Sequence, residues 1–146
     1  MIQYENSIVI KAPVNEVFAY ADDFLTMPDW LPGVVEVHNV IGAGEGRQCD
    51  WTFKMAGALL RGQAVVVDCV PNERSTHQTI GMLEATWTSI VEPHEDGTKL
   101  IIEVEYTIPV PVLGRLAEHL TVRRMERDLE SGLLNVKDII ESRSVP

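Results

Sequence analysis

The feature that most constrains this chain is a change of period. From Val34 to Ile108 apolar residues alternate with polar ones in successive runs, and from about residue 112 to 142 the composition and spacing are helical. Alternation places apolar side chains on one face of a strand, whereas three- and four-residue spacing places them on one stripe of a helix. Strands joined by short turns make an antiparallel meander with one apolar face, and that face must be covered. A helix of roughly 30 residues is about 45 Å long, enough to cross a whole domain. It is the natural cover.

The clearest strand runs through Cys49, Trp51, Phe53 and Met55, which alternate with Asp50, Thr52 and Lys54. Leu100, Ile102, Val104 and Tyr106 repeat the pattern within Lys99–Ile108. Further strands are expected at 2–11, Val34–Ile41, Leu59–Val70, Ser75–Gly81 and Leu83–Val91, with a turn over Pro93–Gly97. Before the meander, Pro13 suits a first helical turn, where its missing N–H costs nothing. Val14, Val17, Phe18 and Ala21 predict a short helix over about 13–22, and a second short piece fits Phe24 to Leu31, kept short by Pro28 and Pro32. Gly42, Gly44 and Gly46 precede a strand, so they read as a hairpin rather than a phosphate loop, which would open a helix.

The long helix is irregular. Val122, Met125, Leu129, Leu133, Val136 and Ile140 form one stripe; Leu113, Leu116, Ala117 and Leu120 form another on the opposite side. The apolar face therefore turns over near Thr121, either at a bend or because the first half is covered on a different side. Gly132, in mid-helix, points to close backbone packing, since glycine there costs about 1 kcal/mol relative to alanine. The order is strand, two short helices, six strands and a long helix. It predicts an α+β fold, a curved antiparallel sheet of about seven strands wrapped on the C-terminal helix, with residues 1–146 as one domain.

The chain resembles the START-related helix-grip (SRPBCC) superfamily, in particular its polyketide cyclase/dehydrase-like branch. The residues that carry the likeness are Ala12-Pro13-Val14-Asn15-Glu16-Val17-Phe18, Trp30-Leu31-Pro32-Gly33-Val34, Trp87 to Pro93, Gly97-Thr98, and Leu133, Val136-Lys137 and Glu141. It spans nearly the whole chain. The resemblance implies an internal cavity between sheet and helix, but not a function, since one fold hosts many: the superfamily holds lipid carriers, hormone-binding proteins and cyclases.

Charge and composition exclude several classes. With 12 Lys and Arg against 22 Asp and Glu the net charge is −10, which disfavours nucleic acid and anionic membrane surfaces. No apolar run approaches the roughly 18 residues of a membrane span, so no stable membrane insertion is expected. The start lacks a basic and an apolar region of the signal-peptide kind, so a cytoplasmic protein is expected. Cys49 and Cys69 lack CxxC or His/Cys partners, and His38, His77, His94 and His119 are scattered. Neither a metal nor a cofactor is expected, and both cysteines read as small hydrophobes in strands.

In a helix-grip fold the apolar strand face lines the cavity, which makes Trp51, Phe53, Met55, Trp87, Val104 and Tyr106 candidate ligand contacts. Leu116 and Leu120 join them from the first half of the helix, which is expected to form one wall. Arg124 lies in a local cluster with Arg115, Arg123 and Arg127. It either meets an anionic head group or pairs with neighbouring carboxylates on the helix surface. Trp30 either borders the cavity mouth or plugs a gap between helix and sheet. The candidate acid–base groups are His77, Asp68, Glu84 and Tyr106; each needs to face the cavity to act, and the alternative is the outer, solvated face. The leading expectation is binding or carriage of a hydrophobic or aromatic small molecule. The alternatives are a cyclase or dehydratase acting through one of those groups, and a protein-interaction module whose cavity has collapsed.

Overall fold

Among the described residues seven strands and three helices form, in the order that the periodicity predicts. The structure is a computed structural model that describes residues 2–109 and 118–143. Strand β1 (Ile2–Ile10) leads into α1 (Val14–Asp22), a single 3-10 turn (Phe24–Thr26) and α2 (Met27–Trp30). Then come β2 (Val34–Ile41), β3 (Gln48–Met55), β4 (Ala58–Val70), β5 (Arg74–Gly81), β6 (Glu84–His94) and β7 (Gly97–Thr107), and the chain closes with α3 (Glu118–Arg143). The sheet order is β1-β7-β6-β5-β4-β3-β2, and every pairing is antiparallel. This is the helix-grip arrangement. The expected helical stretch before Glu118, with Leu113, Arg115, Leu116 and Ala117, lies outside the described residues.

Pro13 caps α1 in an extended conformation, and its carbonyl accepts the Val17 N–H at 3.1 Å. Val17, Phe18, Tyr20 and Ala21 turn inward from α1. Asp23 accepts the Leu25 N–H at 3.0 Å and starts the 3-10 turn. The three-glycine run is the β2–β3 hairpin, with positive φ at Gly42, Gly44 and Gly46.

One expected boundary is corrected. The turn predicted over Pro93–Gly97 begins later, because β6 runs through Pro93 to His94, with Pro93 opposite Thr98. Val91 gives its N–H to Glu73 on the β5 side. Pro93, two residues on, faces the same side beyond the start of β5 at Arg74. Its missing N–H therefore breaks no ladder.

The core lies between the concave face of the sheet and the helices. Leu100, Ile102, Val104 and Tyr106 from β7 meet Met125, Leu129, Leu133, Val136 and Ile140 from α3, all buried. Two further contacts fix the helix. Lys137 Nζ donates to the Val9 carbonyl at 3.0 Å and to Glu141 at 2.5 Å, and Glu141 accepts the Lys11 N–H at 2.9 Å. At Gly132 an added Cβ would come within 3.3 Å of both Leu31 and Trp30, the close approach that its place in mid-helix implies. Among the described residues no helix is long and apolar enough to cross a membrane.

Candidate functional site

The residues that alternate inward along the strands do not fill the space beneath the sheet. A cavity of about 80 Å³ remains, walled by β2 to β7, by the 3-10 turn and α2, and by Met125 of α3. Its walls are almost wholly apolar and rich in aromatic rings, including Phe24, Trp51, Phe53, Trp87 and Tyr106. Beside it lies a groove of about 580 Å³ between the β3–β4 hairpin, the Pro32-Gly33 turn and the first turns of α3. Phe53 and Met125 border both spaces, so these two side chains are the partition between them.

Two glycines make the aromatic wall possible. A Cβ at Gly62 would collide with the Trp51 indole and with the Ile80 carbonyl. Trp51 is paired with Gly62 across the β3–β4 ladder, and its indole occupies the space that a side chain there would take. Gly33, at φ +99°, leaves the Phe53 ring room against the backbone, where a Cβ would meet it at 2.8 Å. The Trp30–Val34 segment thus holds a cavity side chain in place.

The sequence candidates within the described residues divide among four places. Trp51, Phe53, Trp87, Val104, Tyr106 and His77 line the cavity. Met55, Leu120 and Arg124 border the adjoining groove instead, with Leu120 70% exposed. Leu116 lies outside the described residues. Trp30 is 2% exposed and sits between helix and sheet: its ring is 6.0 Å from that of Trp87, and Asn135 of α3 donates to its carbonyl at 2.9 Å. Asp68 does not reach the cavity; it pairs with Arg74 at 2.7 Å on the outer surface. Glu84 is likewise exposed on the outer face. The cause at Asp68 is a register shift between Val66 and Asp68, which turns the carboxylate outward after Ala64 and Val66 have faced in. The helix reaches the cavity through Met125, a member of its regular stripe.

The ionisable groups in the wall are all held neutral. Burial pushes His77 down to about 4, against the opposing pull of Asp22 and with a smaller push from Arg47. Its ring stacks on Trp87 at 6.0 Å and meets the edge of Phe24 at 5.2 Å. Burial also pushes the Tyr106 hydroxyl up to about 12, assisted by the negative charge of Glu126. The Cys49 thiol rises to about 11, first through burial and then through Asp50. Among the described residues, Trp51 Nε1 and Tyr106 Oη of two cavity-lining side chains are buried without a hydrogen-bond partner. Among the described residues no three His, Cys, Asp or Glu side chains gather to hold a metal ion.

Residues 1–141 match the family described as polyketide cyclase/dehydrase and lipid transport. The chain belongs to that family. Solved structures share its architecture along almost all of its length. A Thermus thermophilus protein, TTHA0849, is 20% identical, with 99% of each chain covered and a TM-score of 0.80. The Zhui aromatase/cyclase of Streptomyces sp. R1128 is 15% identical, with 99% of this chain and 96% of that chain covered and a TM-score of 0.81. The di-domain aromatase/cyclase StfQ of the steffimycin pathway is 19% identical over 97% of this chain and 51% of that one, at a TM-score of 0.76. At such identities the likeness is one of fold. No curated protein matches the chain in sequence.

Sequence reasoning missed two parts of the site. Arg47, at the entrance to β3, forms an ion pair with Asp22 at 2.9 Å, donates to the Asp22 carbonyl at 2.6 Å and lies 4.9 Å over the Phe24 ring. Both side chains are about 15% exposed. The pair ties the end of α1 to β3 behind the Phe24 wall. Its members are 25 residues apart in sequence, and no spacing rule joins them. Met125, placed by the sequence only within the apolar stripe from Val122 to Ile140, was likewise not distinguishable from its neighbours there.

Proposed function

We propose that this protein binds a hydrophobic or aromatic small molecule in the cavity beneath its sheet. The observation that carries this reading is the composition of the wall. Trp51, Phe53, Trp87 and Tyr106 surround unfilled space in a fold whose interior would otherwise be close-packed. Burying apolar ligand surface contributes about 25 cal/mol per Å², so affinity needs no charged contact. At about 80 Å³ the cavity suits a compact ligand, and a larger one requires Phe53 and Met125 to swing aside and join the cavity to the groove. The aromatase/cyclase names of the structural neighbours are in keeping with an aromatic ligand. The test is a native mass spectrum of the purified protein together with a titration of the neutral dye Nile red. A co-purified small molecule or saturable dye binding supports the reading; neither one appearing, with the protein folded, refutes it.

A second reading is a cyclase or dehydratase. The observation in its favour is that His77 and Tyr106, a neutral base and a neutral acid, line the same cavity. Under it, turnover of a poly-carbonyl substrate falls sharply in both His77→Phe and Tyr106→Phe, with a pH profile controlled by a group titrating near His77. Turnover unchanged in both variants rejects it.

A further inference from the structure

The parts of the cavity wall differ in how they are held. Strands β2 to β7 are fixed by antiparallel ladders. Residues 22–31 add three lining side chains, Phe24, Met27 and Leu31, from a three-residue 3-10 turn and a four-residue helix. Among the described residues, the hydrogen bonds of residues 23–29 stay within residues 20–31. At Phe24 this segment is one layer thick: Phe24 lines the cavity at 3% exposure, and the next residue, Leu25, is 58% exposed. Arg47 ties the segment to the strands. Its guanidinium holds the Asp22 carboxylate and carbonyl and lies over the Phe24 ring. Its own backbone is anchored, since its carbonyl accepts the Val66 N–H of β4 at 2.8 Å.

We propose that residues 22–31 form a strap over the cavity, fastened by Arg47 to Asp22, and that parting of this pair sets the rate at which a compact guest enters and leaves. This rests on the binding reading above and adds how the site opens. A buried ion pair is seldom the most stable choice, because an apolar pair of like volume is often equal or better. A pair only 15% and 14% exposed therefore points to a use other than stability. Parting an apolar contact bares apolar surface to water, whereas parting this pair returns two ions to their hydration. The closed pair also leaves one donor unmet: Arg47 Nε is buried without a partner among the described residues. Water supplies that partner when the strap lifts. Lifting takes Phe24 from its place against His77, 5.2 Å away, and uncovers the cavity at residues that do not border the groove. A compact guest passes there, and a guest too large for the cavity still needs Phe53 and Met125 to move.

The test uses acetophenone, a compact neutral aromatic, with association and dissociation rates read from NMR lineshapes across a titration. Arg47→Met and Asp22→Asn should each raise both rates at least about tenfold, the loss of a charged hydrogen bond from the closed state, with Kd within about threefold of the wild type. The double variant should be no faster than either single one, because all three break the same pair. Lys137→Met, which loosens α3 from β1 instead, should leave both rates as in the wild type, so a rise confined to the Arg47 and Asp22 variants separates opening from a general loss of stability. Arg47→Lys keeps the charge and loses the planar fork. It should exchange about threefold faster, and it carries the test if the Met and Asn variants do not fold. Acetophenone binding with both rates unchanged, or with faster dissociation and unaltered association, overturns the inference and leaves the binding reading intact. The same rise in Lys137→Met overturns it as well. Binding of neither acetophenone nor Nile red by the folded wild type overturns both.

Discussion

At the scale of single residues, the cavity wall is where the chain departs from what stability alone would select. His77 is the clearest case. Unfolded, its imidazole takes up a proton near 6.5; folded, it does so near 4. Between those values the unfolded chain binds more protons, so stability falls as pH drops from about 6.5 to about 4 and is not recovered below. A depression of that size corresponds to on the order of 3 kcal/mol. Denaturant unfolding of the wild type and His77→Gln at about pH 7 and about pH 4.5 should show a steep loss for the wild type and a smaller one for the variant. Equal losses would mean that His77 is not desolvated. Tyr106 gives the second test. Its hydroxyl is buried with no partner among the described residues, so Tyr106→Phe should leave the ligand-free protein as stable as the wild type, or more stable by about 1 kcal/mol. A clear destabilisation in thermal unfolding would show that the hydroxyl has a partner in solution. His77 could be placed on a face with Ser75 and Thr79 from the alternation of β5. Which face that was could not be read, because the register shift at Val66/Asp68 is a property of the pairing and leaves no mark in either strand alone.

At the scale of elements, strand and helix identity followed from periodicity. Cys49, Trp51, Phe53 and Met55 all turned inward, as did the alternate residues of β7, because a half-buried strand has no other way to place them. The packing between elements was less legible. The seating of Trp51 depends on Gly62 of the next strand, and nothing in the β3 sequence names its neighbour's residue. Gly62→Ala forces a Cβ into the Trp51 ring and the Ile80 carbonyl. It is expected to cost about 1–3 kcal/mol, the usual penalty of overpacking, and to shift the Trp51 fluorescence. An unchanged melting temperature and spectrum would contradict the seating. Lys137 ties α3 to β1 through the Val9 carbonyl and Glu141. With its side chain 30% exposed, Lys137→Met should lose about 1 kcal/mol. In a double-mutant cycle with Glu141→Gln the losses should fall short of additive.

At the scale of the whole molecule, a sheet and a long helix leave an aromatic-lined gap between them, which the proposed function fills with a small apolar guest held away from water. The order of elements alone predicted the sheet, the helix and the need for a cover. It did not predict the gap, because a packed core and a cavity wall draw on the same residue types. Nor did it predict that α3 would touch the cavity through Met125 while Leu120 and Arg124 border the groove outside. The partition made by Phe53 and Met125 gives a further expectation: Met125→Ala joins the two spaces, so Nile red should bind faster and more tightly to that variant, at a stability cost of about 2 kcal/mol or more. Slower or weaker uptake in stopped-flow mixing would place the entrance elsewhere. The most direct measurement is the position of a bound neutral aromatic in a crystal structure of its complex. The account predicts acetophenone in the cavity between Trp51, Trp87 and Tyr106. Acetophenone in the groove beside Leu120 and Arg124, with the cavity unoccupied, would contradict it.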